Sequence, residues 1–116
     1  MALDGIRVLD FTRVLAGPYC TLILGDLGAE IIKIENPDGG DDTRGFNVSP
    51  SLEFSTYFLS VNRNKKSVAI DIRTDTGRDA IRSLVGNADV VIENYRTGVM
   101  DRYGIGHADL SAINPD

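Results

Sequence analysis

Residues 10–37, DFTRVLAGPYCTLILGDLGAEIIKIENP, run from the end of one apolar segment through a turn, an oily stretch and a second, isoleucine-rich segment. Pro18 suits the first turn of a helix, where its missing N–H leaves nothing unpaired. From there PYCTLILGDLG reads as a helix that is apolar nearly all round, which predicts burial on more than one side. Gly28 is placed for a left-handed stop. Ahead of this stretch IRVLDFT (6–12), rich in branched and aromatic residues, reads as a strand, and after the helix AEIIKIE (29–35) reads as a second. A chain that turns at Gly17-Pro18 on top of a strand does so where a ligand commonly sits.

Working outward, residues 36–50 are dense in Pro, Gly and Asp and predict a long loop. SLEFSTYFLSV predicts a helix capped by Ser51, with Phe54, Tyr57 and Phe58 on one side. SVAIDI (67–72) alternates as a third strand, Val68, Ile70 and Ile72 sharing a face. Thr74 or Asp75 caps a helix whose stripe is Ala80, Ile81, Leu84, Val85 and Ala88. DVVIENY (89–95) is a fourth strand, and two short helices follow around GVMDRY and ADLSAIN.

Strands that alternate with helices predict an α/β fold, a Rossmann-like and mostly parallel sheet with helices on both faces. Right-handed crossovers favour the order 3-2-1-4. Growth then reverses at strand 1, and ligands in such sheets sit beyond the carboxyl ends of the strands at that reversal. TRVLAGP and ENYRTG therefore flank one crevice.

The whole chain bounds the choice of ligand. Its 116 residues make one domain, and 42% hydrophobic with 25% charged residues is an ordinary folded composition. A net charge of −5 disfavours nucleic acid and anionic lipid as partners. No apolar run approaches the ~20 residues that span a bilayer, and no secretion signal is visible. The single cysteine, Cys20, excludes an internal disulfide or a cysteine-built metal site and fits a reducing cytoplasm. Arg63, Lys65 and Lys66 in NRNKKS read as a solvated basic face, and the acids of DGGDD as a solvated loop rather than a metal site.

A dinucleotide would need glycines spaced as G-x-G-x-x-G, and Gly17, Gly25 and Gly28 lie too far apart. Glu35 mimics a ribose-binding acid, but it reads better as a solvated strand end. A phosphate-accepting signalling domain has this length, with Asp71 near the end of strand 3. Such a domain holds a divalent cation in a carboxylate cluster, and strand 1 offers only Asp10.

Four ordered blocks carry a further reading: LDGIRVLDFTRVLAGPYCTLILGDLGAEIIKIE, GDDTRG, NRNKKSVAIDIRT and ADVVIENYRTGVMDRYG. Together they resemble the family III CoA-transferases (CaiB/BaiF type), among them formyl-CoA and carnitine CoA-transferases and the related acyl-CoA racemases. The resemblance covers essentially the whole chain. It implies that coenzyme A or an acyl-CoA enters the crevice as substrate, with no permanently bound cofactor and no metal. The CoA-contacting positions it implies are Arg13, Val14, Leu15 and Ala16; Ile70, Asp71, Ile72 and Arg73; Asn94, Tyr95 and Arg96; and Arg102. The chemistry fits, because arginines bind phosphates through paired, charge-assisted hydrogen bonds. Asn36 stands where formyl-CoA transferase has an arginine, so that contact does not carry over.

The resemblance also implies a longer enzyme of which residues 1–116 are the amino-terminal CoA-binding portion. No catalytic residue falls in this chain. In the family an aspartate further along attacks the acyl-CoA thioester, and a carboxylic acid accepts the CoA through an aspartyl intermediate. Racemase relatives use a histidine and an aspartate, also further along. An interlocked homodimer is expected of the full-length protein. Absent the resemblance, Leu15, Ala16 and Ile70 read as packing, Arg73 and Arg102 as surface arginines, Cys20 as a buried small hydrophobe and His107 as a surface or capping residue.

Overall fold

The computed structural model describes residues 1–115. Its strands are β1 (Arg7–Asp10), β2 (Glu30–Glu35), β3 (Lys65–Ala69) and β4 (Val90–Ile92). Its helices are α1 (Ala16–Asp26), α2 (Thr56–Val61), α3 (Asp75–Val85), α4 (Val99–Arg102) and α5 (His107–Ser111). Among the described residues a 3-10 turn spans Asp42–Gly45. All strand pairs are parallel, in the order β3-β2-β1-β4, as the alternation and the crossover rule predict.

The central strands have two different faces. Leu9, Ile32 and Ile34 pack with Ile81 and Val85 of α3, Met100 of α4, and Ile105 and Leu110 around α5. Val8 and Ile31 point the other way, towards Leu24 of α1. In register with them on that second face come Asp10, Lys33 and Glu35, all buried, so the sheet is apolar at one end and charged at its carboxyl end.

Five local expectations are corrected. The strand after NRNKK begins at Lys65 rather than Ser67 and ends at Ala69, because Lys65 and Lys66 pair with Ile31 and Ile32. Ser55, not Ser51, caps α2 by accepting from the Phe58 N–H. Helix α1 is not buried on several sides: Leu15 at its cap, Tyr19 and Ile23 within it and Leu27 just after it are 50%, 56%, 44% and 44% exposed. Cys20 is likewise exposed. On α3 the buried stripe is Gly77, Ile81 and Val85, with Ala80 facing solvent; Thr74 is the cap, accepting from the Gly77 N–H.

Candidate functional site

A cleft of about 200 Å³ opens at the carboxyl end of the sheet. Arg13, Ile70, Asp71, Ile72, Arg73, Tyr95 and Arg102 line it together. They come from the turn after β1, the segment after β3, the segment after β4 and helix α4. Val14, Leu15, Ala16, Asn94 and Arg96 do not line it. Asn94 instead shapes the wall: its Oδ1 accepts from the Arg13 N–H at 2.9 Å and its Nδ2 donates to the Arg13 carbonyl at 2.8 Å. A wider groove of about 640 Å³ follows β4 past Met100 and His107, and its lining contains no arginine or lysine. Of the two, only the first brings guanidinium groups to its wall.

The arginines of the cleft differ in how much charge they have left to offer. Arg73 is bound to Asp71 through Nε–Oδ1 and Nη2–Oδ2, both 2.8 Å, with Asp38 at 3.4 Å. That pairing lowers the Asp71 carboxyl to about 2 and raises the guanidinium. Arg13 has only a 3.4 Å contact with exposed Asp42 and lies 5.8 Å from the Tyr95 ring centroid. Arg102 lies 5.5 Å from the Tyr103 ring centroid and, like Arg96, has no carboxylate partner among the described residues. Burial pushes the Tyr95 hydroxyl up, against the pull of Arg13.

Lys33, Glu35 and Asp41 also line the cleft and belong to a buried charge network that the sequence reading missed. Asp10 accepts from Lys65 at 3.1 Å, from Thr21 at 2.6 Å and from Thr12. Lys33 donates to the Thr12 carbonyl at 2.7 Å and pairs with Asp41 at 2.9 Å. Glu35 takes Arg44 in two parallel bonds of 2.7 Å, the Asp41 N–H at 2.8 Å and Ser67 at 2.7 Å. Burial would raise Glu35, but these donors outweigh it and hold the carboxyl at about 2. Burial likewise opposes but does not prevent the lowering of Asp41 by Thr43 and Lys33. Lys65 is pulled down by burial, with Asp10 only partly restoring it.

Three expectations fall with this network. Glu35 is 5% exposed rather than a solvated strand end, Asp41 is 2% exposed inside the supposedly solvated loop, and Lys65 leaves the basic face. Arg63 and Lys66 stay on that face, paired with Asp26 and Glu30. The signal was present in EIIKIE: in a parallel strand buried on both faces, a lysine must be buried and therefore paired. No buried side-chain polar atom among the described residues lacks a partner, and no group of acids, histidines or cysteines there is placed to hold a metal.

The family model of CoA-transferase family III matches residues 3–116. Over 113 residues the chain is 50% identical to the Mus musculus succinyl-CoA:glutarate CoA-transferase, covering 97% of this chain and 26% of that enzyme. It is 50% identical over 119 residues to the Haloarcula hispanica succinyl-CoA:mesaconate CoA-transferase, covering 99% of this chain and 30% of that one. Among solved structures, a CAIB/BAIF family protein from Brucella suis superposes with a TM-score of 0.89 at 44% identity, over 96% of this chain and 30% of that one. The chain thus spans roughly a quarter to a third of the length of these relatives. With the family model matching residues 3–116 and a solved family member superposing at a TM-score of 0.89, the chain belongs to CoA-transferase family III.

Proposed function

We propose that the protein carrying this chain moves coenzyme A between an acyl-CoA and a carboxylic acid, and that residues 1–116 supply its CoA-binding part. The observation that carries the reading is the cleft itself, where Arg13, Arg73 and Arg102 converge at the reversal of the sheet. CoA bears a pyrophosphate and a 3′-phosphate, which match a wall of guanidinium groups. The relatives named for succinyl-CoA with glutarate or mesaconate favour dicarboxylic acids as the acyl and acceptor groups.

The carboxylates near the cleft are already committed. Asp10, Glu35 and Asp41 are buried and paired, and Asp71 is bound by Arg73. None is a free nucleophile, so we assign the aspartyl intermediate to a carboxylate further along the complete protein, as the resemblance implies. That carboxylate attacks the thioester carbonyl carbon, the C–S bond breaks, and CoA departs as the thiolate. The thiolate then attacks the resulting anhydride at the aspartyl carbonyl, releasing the first acid. The acceptor carboxylate attacks that aspartyl thioester and expels the CoA thiolate, forming a second anhydride; the thiolate then attacks the acceptor's carbonyl carbon, which gives the new acyl-CoA and frees the aspartate. Enclosure of the intermediates from water is assigned to a homodimer of the complete protein.

Isothermal titration of the 116-residue chain with CoA tests the binding half, and saturable binding is expected. Assay of the same chain with succinyl-CoA and glutarate tests the division of labour, and no turnover above background is expected. Absence of CoA binding by both this chain and the complete protein would defeat the reading.

A further inference from the structure

We propose that Asp41, anchored by Lys33, is a positioning residue that clamps the turn after β1 in a strained shape and so sets Arg13 in the cleft. The inference rests on the CoA-binding reading above and adds how the wall is held.

Val14 sits at φ 70, in the left-handed region. Only one other non-glycine residue among those described does so, Asn64, whose side chain tolerates that region. A β-branched residue there is an outlier, and such a conformation persists only where its surroundings over-determine it. Side-chain burial offers no return for it: Val14 is 37% exposed and Leu15, the next residue, 50%.

Its surroundings do over-determine it. Asn94 brackets Arg13 at both N–H and carbonyl. The Val14 N–H donates to Asp41, 3.3 Å from Oδ1 and 3.4 Å from Oδ2. Asp41 is fixed in turn by Lys33 at 2.9 Å, by the Thr43 N–H at 3.0 Å and by the Thr43 hydroxyl at 2.8 Å. Lys33 also donates to the Thr12 carbonyl at 2.7 Å, so one buried ammonium ties the residue before Arg13 to the acid that holds the residue after it. The turn is pinned on both sides of Arg13, while the Arg13 guanidinium keeps only its loose contact with Asp42. That arrangement is a rigid backbone carrying an available charge.

Glycine adopts φ 70 without strain, and this supplies the test. In the protein at its natural length, Asp41→Ala should lower kcat/KM for the acyl-CoA by about tenfold or more, since small displacements of binding groups carry large kinetic penalties. Adding Val14→Gly should restore most of that loss, because a glycine reaches the φ of this turn without strain and so does not need the clamp to enforce it. A role for Asp41 confined to stability would not be rescued at residue 14. Asp41→Ala also strands the Lys33 ammonium, so the same comparison is made in Lys33→Met/Asp41→Ala. Rescue by Val14→Gly in either background supports the clamp, and its absence in both overturns it. Should neither background fold, Val14→Gly alone decides: relief of strain raises its melting temperature, and an unchanged or lower value overturns the proposal. CoA binding by the parent is titrated first. A parent that binds no CoA defeats the functional reading, whereas a parent that binds and an unrescued variant defeat the clamp alone.

Discussion

Arg73 and Asp71 hold each other through two parallel hydrogen bonds, and this changes what each can offer a ligand. A phosphate reaching Arg73 must compete with a carboxylate already in place. Arg102 faces no such competitor. Asp71→Asn should therefore tighten CoA binding by several-fold, while Arg102→Ala should weaken it by about 1–3 kcal/mol, the loss of a hydrogen bond to a charged group. Calorimetry on the two variants checks both signs, and weaker binding by Asp71→Asn would show that the carboxylate helps the ligand instead. The positions were legible in NRNKKSVAIDIRT and ENYRTGVMDRYG, but the internal chelation of Arg73 was not. Two residues only two apart do not announce that their side chains fold back on each other.

At the scale of elements, the first turn of α1 lies against the end of β1. A Cβ on Gly17 would come within 2.2 Å of the Thr12 Cβ, closer than any repacking of a short side chain relieves. Gly17→Ala should destabilise the protein by about 1–3 kcal/mol, the usual range for overpacking, as read by urea denaturation. The loop after β2 is held differently, through the carboxylate of Glu35. Its folded pKa of about 2 lies below the 4.5 of a free glutamate, so the folded state favours the ionised form. The resulting stabilisation is full above pH 4.5 and disappears as pH falls towards 2, amounting to about 3 kcal/mol. Glu35→Gln should flatten the acid limb of a stability–pH curve over that window, and an unchanged limb would assign it to other groups. Element types were readable from hydrophobic periodicity, whereas β3 was misplaced because its first residues, Lys65 and Lys66, look like a loop. Their pairing with Ile31 and Ile32 is a long-range fact that no local pattern contains.

For the whole molecule, the order β3-β2-β1-β4 was legible because strand–helix alternation and crossover handedness leave few alternatives. The exposed side of α1 was not, since an apolar helix looks the same whether or not something covers it. The reversal at β1 has a kinetic consequence. Strand β1 meets β2 after one helix, but it meets β4 only after some eighty residues, and Arg13 meets Asn94 across a separation of 81. Contacts between distant segments form late, because loop closure must precede them. Rapid dilution from urea should therefore restore helical circular dichroism before it restores affinity for CoA, with the Arg13–Asn94 closure as the last event. If both signals return with one rate constant, the two halves of the sheet assemble together. If they return in the order expected, the crevice in this fold is a record of completion, shaped only once β1 and β4 have closed on each other.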